Sequence, residues 1–130
     1  MRRRFLFGSP HPDDVELGTG ATLVELKEAS HKVFVVDLTS GEPTPFGEEE
    51  RRRKETKKAS QILGIDERVN LGLENRFLLD TKSARLSLAE KIRIFKPDIL
   101  FSPYFRDCHP DHMLQLKLLS RPVSLLILPR

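Results

Sequence analysis

Short apolar runs alternate with longer amphipathic stretches along the chain. Arg4-Phe5-Leu6-Phe7 runs into Gly8-Ser9-Pro10, the pattern of a buried strand feeding a loop. From Val15 to Ala29, Leu17, Ala21, Val24 and Glu28 recur at turn spacing with Leu23 and Leu26 beside them, which predicts a helix. Lys32 to Leu38 (KVFVVDL) is rich in β-branched residues and predicts a strand. Thr39 to Gly47, with two prolines and two glycines, reads as a surface loop. Glu48 to Leu63 is helical, with Gly64 as its left-handed cap. Val69 to Leu73 is a short strand. Thr81 to Lys96 is a helix with Leu88, Ile92 and Phe95 at i, i+4 and i+7, stopped by Pro97. Asp98 to Phe101 reads as a buried strand, Ser102 to Pro110 as a loop and His112 to Leu119 as a last helix. Val123 to Leu128 has the composition of a further strand.

Strands separated by helices of this length imply right-handed βαβ crossovers. The expected fold is therefore α/β: a Rossmann-like, mostly parallel sheet with helices on both faces. Ligands of such sheets bind beyond the carboxyl ends of the strands, near the point where strand order reverses. That directs attention to the loops after Phe7, Leu38, Leu73 and Phe101.

Composition narrows the class. At 130 residues the chain suits one domain, and 38% apolar with 32% charged residues suits a packed globular protein. The longest apolar run, Val123 to Leu128, is broken by Ser124 and too short to span a membrane. Phe5 to Phe7 is too short for a signal-peptide core. A single cysteine, Cys108, forms no internal disulfide, so a cytoplasmic location is expected. Cys108 is read as a packing residue. The basic run Arg51-Arg52-Arg53-Lys54 with Lys57 and Lys58 follows Glu48 to Glu50 and is interrupted by Glu55. It reads as a solvated helix face, and no nucleic-acid partner is expected. Gly18-Thr19-Gly20 has Leu23 where a dinucleotide fingerprint needs its third glycine, so these glycines are read as close packing of helix on sheet.

Two strand-to-helix loops hold the unusual residues: His11-Pro12-Asp13-Asp14, and Asp107-Cys108-His109-Pro110-Asp111-His112. They bring three of the four histidines and four carboxylates to one edge of the sheet. A catalytic zinc site needs three N/O ligands and one open position, and each segment offers candidates three residues apart. An adjacent carboxylate can act as general base. For His11 or Asp14 alone, capping of the following helix is the competing reading.

HPDD, the following Glu16-Leu17-Gly18 and the downstream HPDH together resemble the PIG-L/LmbE-like family of zinc-dependent N-acetylglucosaminide deacetylases. Leu38-Thr39, Gly41-Glu42, Arg52 with Glu55, Ala59 and Leu63-Gly64 extend the likeness. The resemblance implies that His11, Asp14 and His112 bind Zn2+. It implies that Asp13 is the general base, that His109 stabilises the oxyanion and that Asp111 orients His109. Arg52 and Glu74 would contact substrate. It further implies one LmbE-like domain over residues 1–130, shortened at its C-terminus relative to the family, with residues 120–130 atypical. The expected reaction is hydrolysis of the N-acetyl group of an N-acetylglucosamine-type substrate, a small amino sugar or glycoconjugate, by a homo-oligomer with no membrane span. Two alternatives stand beside it: a two-ion metal-dependent phosphoesterase, and a truncated metal-binding relative without activity.

Overall fold

A computed structural model describes residues 1–42, 44–104 and 106–126. Strands and helices alternate: β1 (Arg4–Ser9), α1 (Asp14–Glu28), β2 (Lys32–Thr39), α2 (Glu49–Ile62), β3 (Glu67–Leu73), α3 (Lys82–Phe95), β4 (Ile99–Phe101) and α4 (Pro110–Leu126). The strands form one sheet in the order β3-β2-β1-β4, and every pairing is parallel. The expected architecture is thus the observed one. No helix among the described residues is long and apolar enough to cross a membrane.

Side chains alternate across the sheet because successive residues of a strand point to opposite faces. Phe5 and Phe7 of β1 and Val33 and Val35 of β2 pack with Val15 and Leu23 of α1. Leu6, Phe34, Val36 and Leu38 face the other way, against Leu88, Ile92 and Phe95 of α3 and Leu118 and Leu119 of α4. Each fully buried large side chain contributes roughly 1.5–3 kcal/mol. Going from β1 to β2 to β3 the chain moves steadily outward. It then crosses back to place β4 on the other side of β1. The strand order therefore reverses between β1 and β4, whose following loops carry the two histidine-aspartate motifs.

Local signals explain the helix ends. Gly64 adopts φ 66 just past α2, as the left-handed cap expected there. Lys96 takes the left-handed conformation, φ 46, and Pro97 ends α3. Thr81 caps α3 by accepting a hydrogen bond from the Ala84 amide. Helix α2 buries none of its residues, in line with the solvated charged face read from its sequence.

Three expectations fail. Residues 123–126 continue α4 instead of forming a strand, and 127–128 lie outside the described residues. An existing helix extends with one hydrogen bond per residue fixed, whereas a strand must find a partner edge. In α1 the buried positions are Val15 and Leu23, while Leu17 and Val24 are exposed. Gly18 and Gly20 lie on the outer side, where an added Cβ would meet nothing within 4 Å, so they do not mediate close packing. Gly8 does: a Cβ there would collide with Gln115 Nε2 of α4. Cys108 is exposed and packs no core.

Candidate active site

The loop after β1 brings His11, Asp13 and Asp14 to the carboxyl edge of the sheet. The loop after β4 and the first turn of α4 bring Asp107, His109, Asp111 and His112 there. Asp14 Oδ2 lies 3.2 Å from His11 Nδ1 and 3.5 Å from His112 Nε2. His11, Asp14 and His112 each present one donor atom, and all three atoms lie within 4.8 Å of one another. Zinc–ligand bonds near 2.1 Å in a tetrahedron put neighbouring donors roughly 3.4 Å apart. The two Asp14 separations match that edge and the third lies within 4.8 Å, so the three residues are placed to share one ion. His11, His109 and Asp111 form a second, overlapping donor group.

Asp14 is the first residue of α1, yet its carboxylate turns back and accepts the His11 amide at 2.9 Å. The capping alternative therefore does not describe it. Burial pushes Asp14 upward, but hydrogen bonds from the His11 ring and amide, with the charge of His112, hold it below the usual carboxylate value. Burial works against a charged His11, and hydrogen bonds to Asp14 and Asp111 outweigh this and raise it. Asp13 sits at φ 142, a left-handed conformation unusual for a residue with a Cβ.

Asp111 departs from expectation. It is 1% exposed, and its Oδ2 lies 3.1 Å from His11 Nε2 while accepting the Arg76 amide at 3.0 Å. His109 Nδ1 instead accepts the backbone amide of Asp111 at 3.2 Å. Asp111 therefore orients His11, not His109. The ring centroids of His109 lie 4.8 Å from His11 and 4.9 Å from His112, so all three imidazoles gather in one cluster.

Arg52, on α2, donates to Asp13 Oδ2 at 2.8 Å and to the Pro12 carbonyl at 3.3 Å. Its Nε lies 3.5 Å from Glu42 Oε1. Glu74 is exposed just past the end of β3, and the structure does not bring it into the cluster. The nearest link from that loop is the Arg76 amide. Sequence reasoning assigned no role to Asp107, which accepts the His109 amide at 2.9 Å and faces His112 Nδ1 at 2.8 Å. Its spacing of five residues from His112 was the available signal. These bonds, the His109 amide first, hold Asp107 down to about 2.

Two clefts flank the cluster. A groove of about 400 Å³, lined by Phe7, Val15, Leu17, Phe101 and Pro103, ends on Asp14 and His112. A larger cleft of about 630 Å³ between α2 and the β2–β3 edge reaches Pro12, Ser40 and Arg52.

A parallel α/β sheet thus carries a cluster of imidazoles and carboxylates, spaced as a metal ion could use them, at the point where its strand order reverses. The particular family is equally clear: the sequence profile of PIG-L (GlcNAc-PI de-N-acetylase) matches residues 6–120, and the chain belongs to that family of deacetylases. It is similar to the diacetylchitobiose deacetylase of Thermococcus kodakarensis, with 31% identity over 85% of this chain and 45% of that protein. Among solved structures, the conserved protein TT1542 from Thermus thermophilus superposes with a TM-score of 0.89 and 41% identity, covering 95% of this chain and 56% of that one. The N,N'-diacetylchitobiose deacetylase from Pyrococcus horikoshii gives a TM-score of 0.86 and 27% identity, covering 98% and 52%. The chain therefore spans about half the length of the relatives it matches, and all of the expected site residues fall within that half.

Proposed function

We propose that this chain carries the metal centre and catalytic groups of a zinc-dependent deacetylase acting on an N-acetylglucosamine-type sugar. The observation that carries the reading is the convergence of His11, Asp14 and His112, with Asp14 Oδ2 3.2 Å from His11 Nδ1 and 3.5 Å from His112 Nε2. The similarity to two proteins named as diacetylchitobiose deacetylases supports an N-acetylated amino sugar as the substrate class.

His11, Asp14 and His112 would hold Zn2+, which when bound supplies Lewis acidity toward a carbonyl oxygen and toward water. Asp13 takes the proton from the attacking water. Its carboxylate is held by Arg52 at 2.8 Å and stays about half exposed, open to the substrate side. His109, whose Nδ1 accepts the Asp111 amide, donates from the other side of its ring to the oxygen that gains charge as the amide carbon becomes tetrahedral. The C–N bond then breaks, the proton held by Asp13 passes to the leaving nitrogen, and acetate and a free amine result. Asp111 fixes His11 from behind, and Asp107 does the same for His112. Arg52 stands between Asp13 and Glu42, where it is placed to meet substrate hydroxyls as well as the base. Glu74 enters the proposal only as a loop residue of the substrate side.

We assign part of the exposed apolar surface to contacts within an assembly. Leu17 is 82% exposed and Ile99 and Phe101 are each 36% exposed, apolar surface that burial in a homo-oligomer would cover. The test measures bound zinc and amine release from N-acetylglucosamine and its β-linked disaccharide. Near-stoichiometric zinc with amine release lost in Asp13→Ala is the expected result. A protein that retains no zinc, or an Asp13→Ala variant as fast as the parent, overturns the reading.

A further inference from the structure

One guanidinium ties down both ends of the loop that carries His11, Asp13 and Asp14. Arg68, on β3, donates Nε to Asp37 Oδ2 at 2.7 Å and Nη2 to Asp37 Oδ1 at 2.9 Å. The same group donates Nη1 to Glu16 Oε1, with Nη2 3.4 Å from Glu16 Oε2. The three side chains are 7%, 2% and 19% exposed for Arg68, Asp37 and Glu16. Asp37 is the register partner of Ser9 on β1, and the Ser9 hydroxyl donates to the His11 carbonyl. Glu16 lies in the first turn of α1, the helix that begins at Asp14. The strand side and the helix side of the loop thus meet at one buried cation.

What lies between those ends explains why a cation is needed. Asp13 is at φ 142 and, although it is the N-cap of α1, makes no side-chain capping bond. Backbone of this kind persists only where surrounding contacts over-determine it. Arg52 holds the Asp13 side chain, but it comes from α2, a helix that buries no residue. The buried restraint is Arg68, whose planar fork can engage two carboxylates at once, which a lysine ammonium cannot reproduce. Burial pushes Asp37 above its usual value despite the Arg68 bonds, and those bonds in turn raise Arg68 against its own burial.

We propose that Arg68 is a positioning residue for the active site: by bridging Asp37 and Glu16 it holds the His11–Asp14 loop in the conformation that presents its metal-binding and proton-accepting groups. This rests on the metal-centre reading above. Its role is distinct from simple stabilisation, because the load falls on the loop and not on the core.

The test compares Glu16→Gln, which releases only the helix side, with Arg68→Lys and with Asp66→Asn. The last breaks a Lys27–Asp66–Lys32 ion cluster at the opposite, amino end of the sheet. Zinc affinity is read by chelator competition below the unfolding range, and the Co2+-loaded proteins are compared by visible absorption. Hydrogen exchange of amides 13–17 is followed in metal-free protein. Glu16→Gln and Arg68→Lys are expected to weaken zinc binding tenfold or more, shift the cobalt bands and speed exchange, while Asp66→Asn lowers only thermal stability. Parental zinc affinity, cobalt spectrum and exchange in folded Glu16→Gln overturn the proposal, as does an equal loss of affinity in Asp66→Asn. A parent chain that binds neither ion removes the metal-centre reading instead, and exchange alone then decides whether Arg68 holds the loop.

Discussion

Asp107 Oδ2 lies 2.8 Å from His112 Nδ1, which leaves His112 Nε2 turned toward Asp14. A carboxylate behind a ligating imidazole fixes its tautomer and raises its basicity. Asp107→Asn keeps the shape and removes the charge. We expect zinc affinity to fall by roughly 10–100-fold, read by competition with a chromophoric chelator, with the fold unchanged by circular dichroism.

On the proposed reading, metal and base functions separate between neighbouring residues. His11→Ala removes a ligand and is expected to lose zinc. Asp13→Ala removes no ligand and should retain one zinc per chain while turnover falls by roughly 10²–10⁴-fold, the usual contribution of a general base. Inductively coupled plasma metal analysis beside an amine-release assay checks both. Two ions per chain would favour phosphoester chemistry at the two overlapping donor groups.

Arg52 joins Asp13 to Glu42 across the mouth of the site. Burial works against its charge, and the bonds to Asp13 and Glu42 more than restore it. Arg52→Lys keeps the charge but loses the fork, so it should lower kcat/KM substantially while leaving zinc content intact. Steady-state kinetics with metal analysis on the same samples tests this.

Asp66 predicts an acid-sensitive stability. Desolvation pushes it up, but hydrogen bonds from Lys27, Lys32 and the Val33 amide outweigh that and lower it from 3.8 to about 2. A carboxylate depressed in the folded state contributes stability that is fully present above its unfolded value and is lost as pH falls through the folded one. Thermal midpoints of the parent should therefore drop from about pH 4 toward pH 2. Asp66→Asn should start lower and lose less across that window.

Much of the site was legible because residue type and position agreed. HPDD and HPDH each follow a strand, and those strands flank the point where sheet order reverses. The particular partners were not legible. Whether Asp111 meets His109 or His11 depends on how the first turn of α4 sits against the loop after β1, which spacing in the sequence does not fix. Arg68 and Glu16 are 52 residues apart and meet only once β3 and α1 are docked. The failed strand at residues 123–126 was an apolar run, which periodicity alone cannot assign to strand or helix. Gly18 and Gly20 were misread because the stripe that packs runs through Val15 and Leu23, leaving the glycines on the far side.

Since β1 and β4 are neighbours in the sheet, the two signature loops emerge side by side although nearly a hundred positions separate them in the chain. Their alignment is set by the β1–β4 register, Phe5 to Ile99 through Phe7 to Phe101. A one-residue slip in that pairing would turn one strand's side chains to the opposite face and carry its loop out of step with the other.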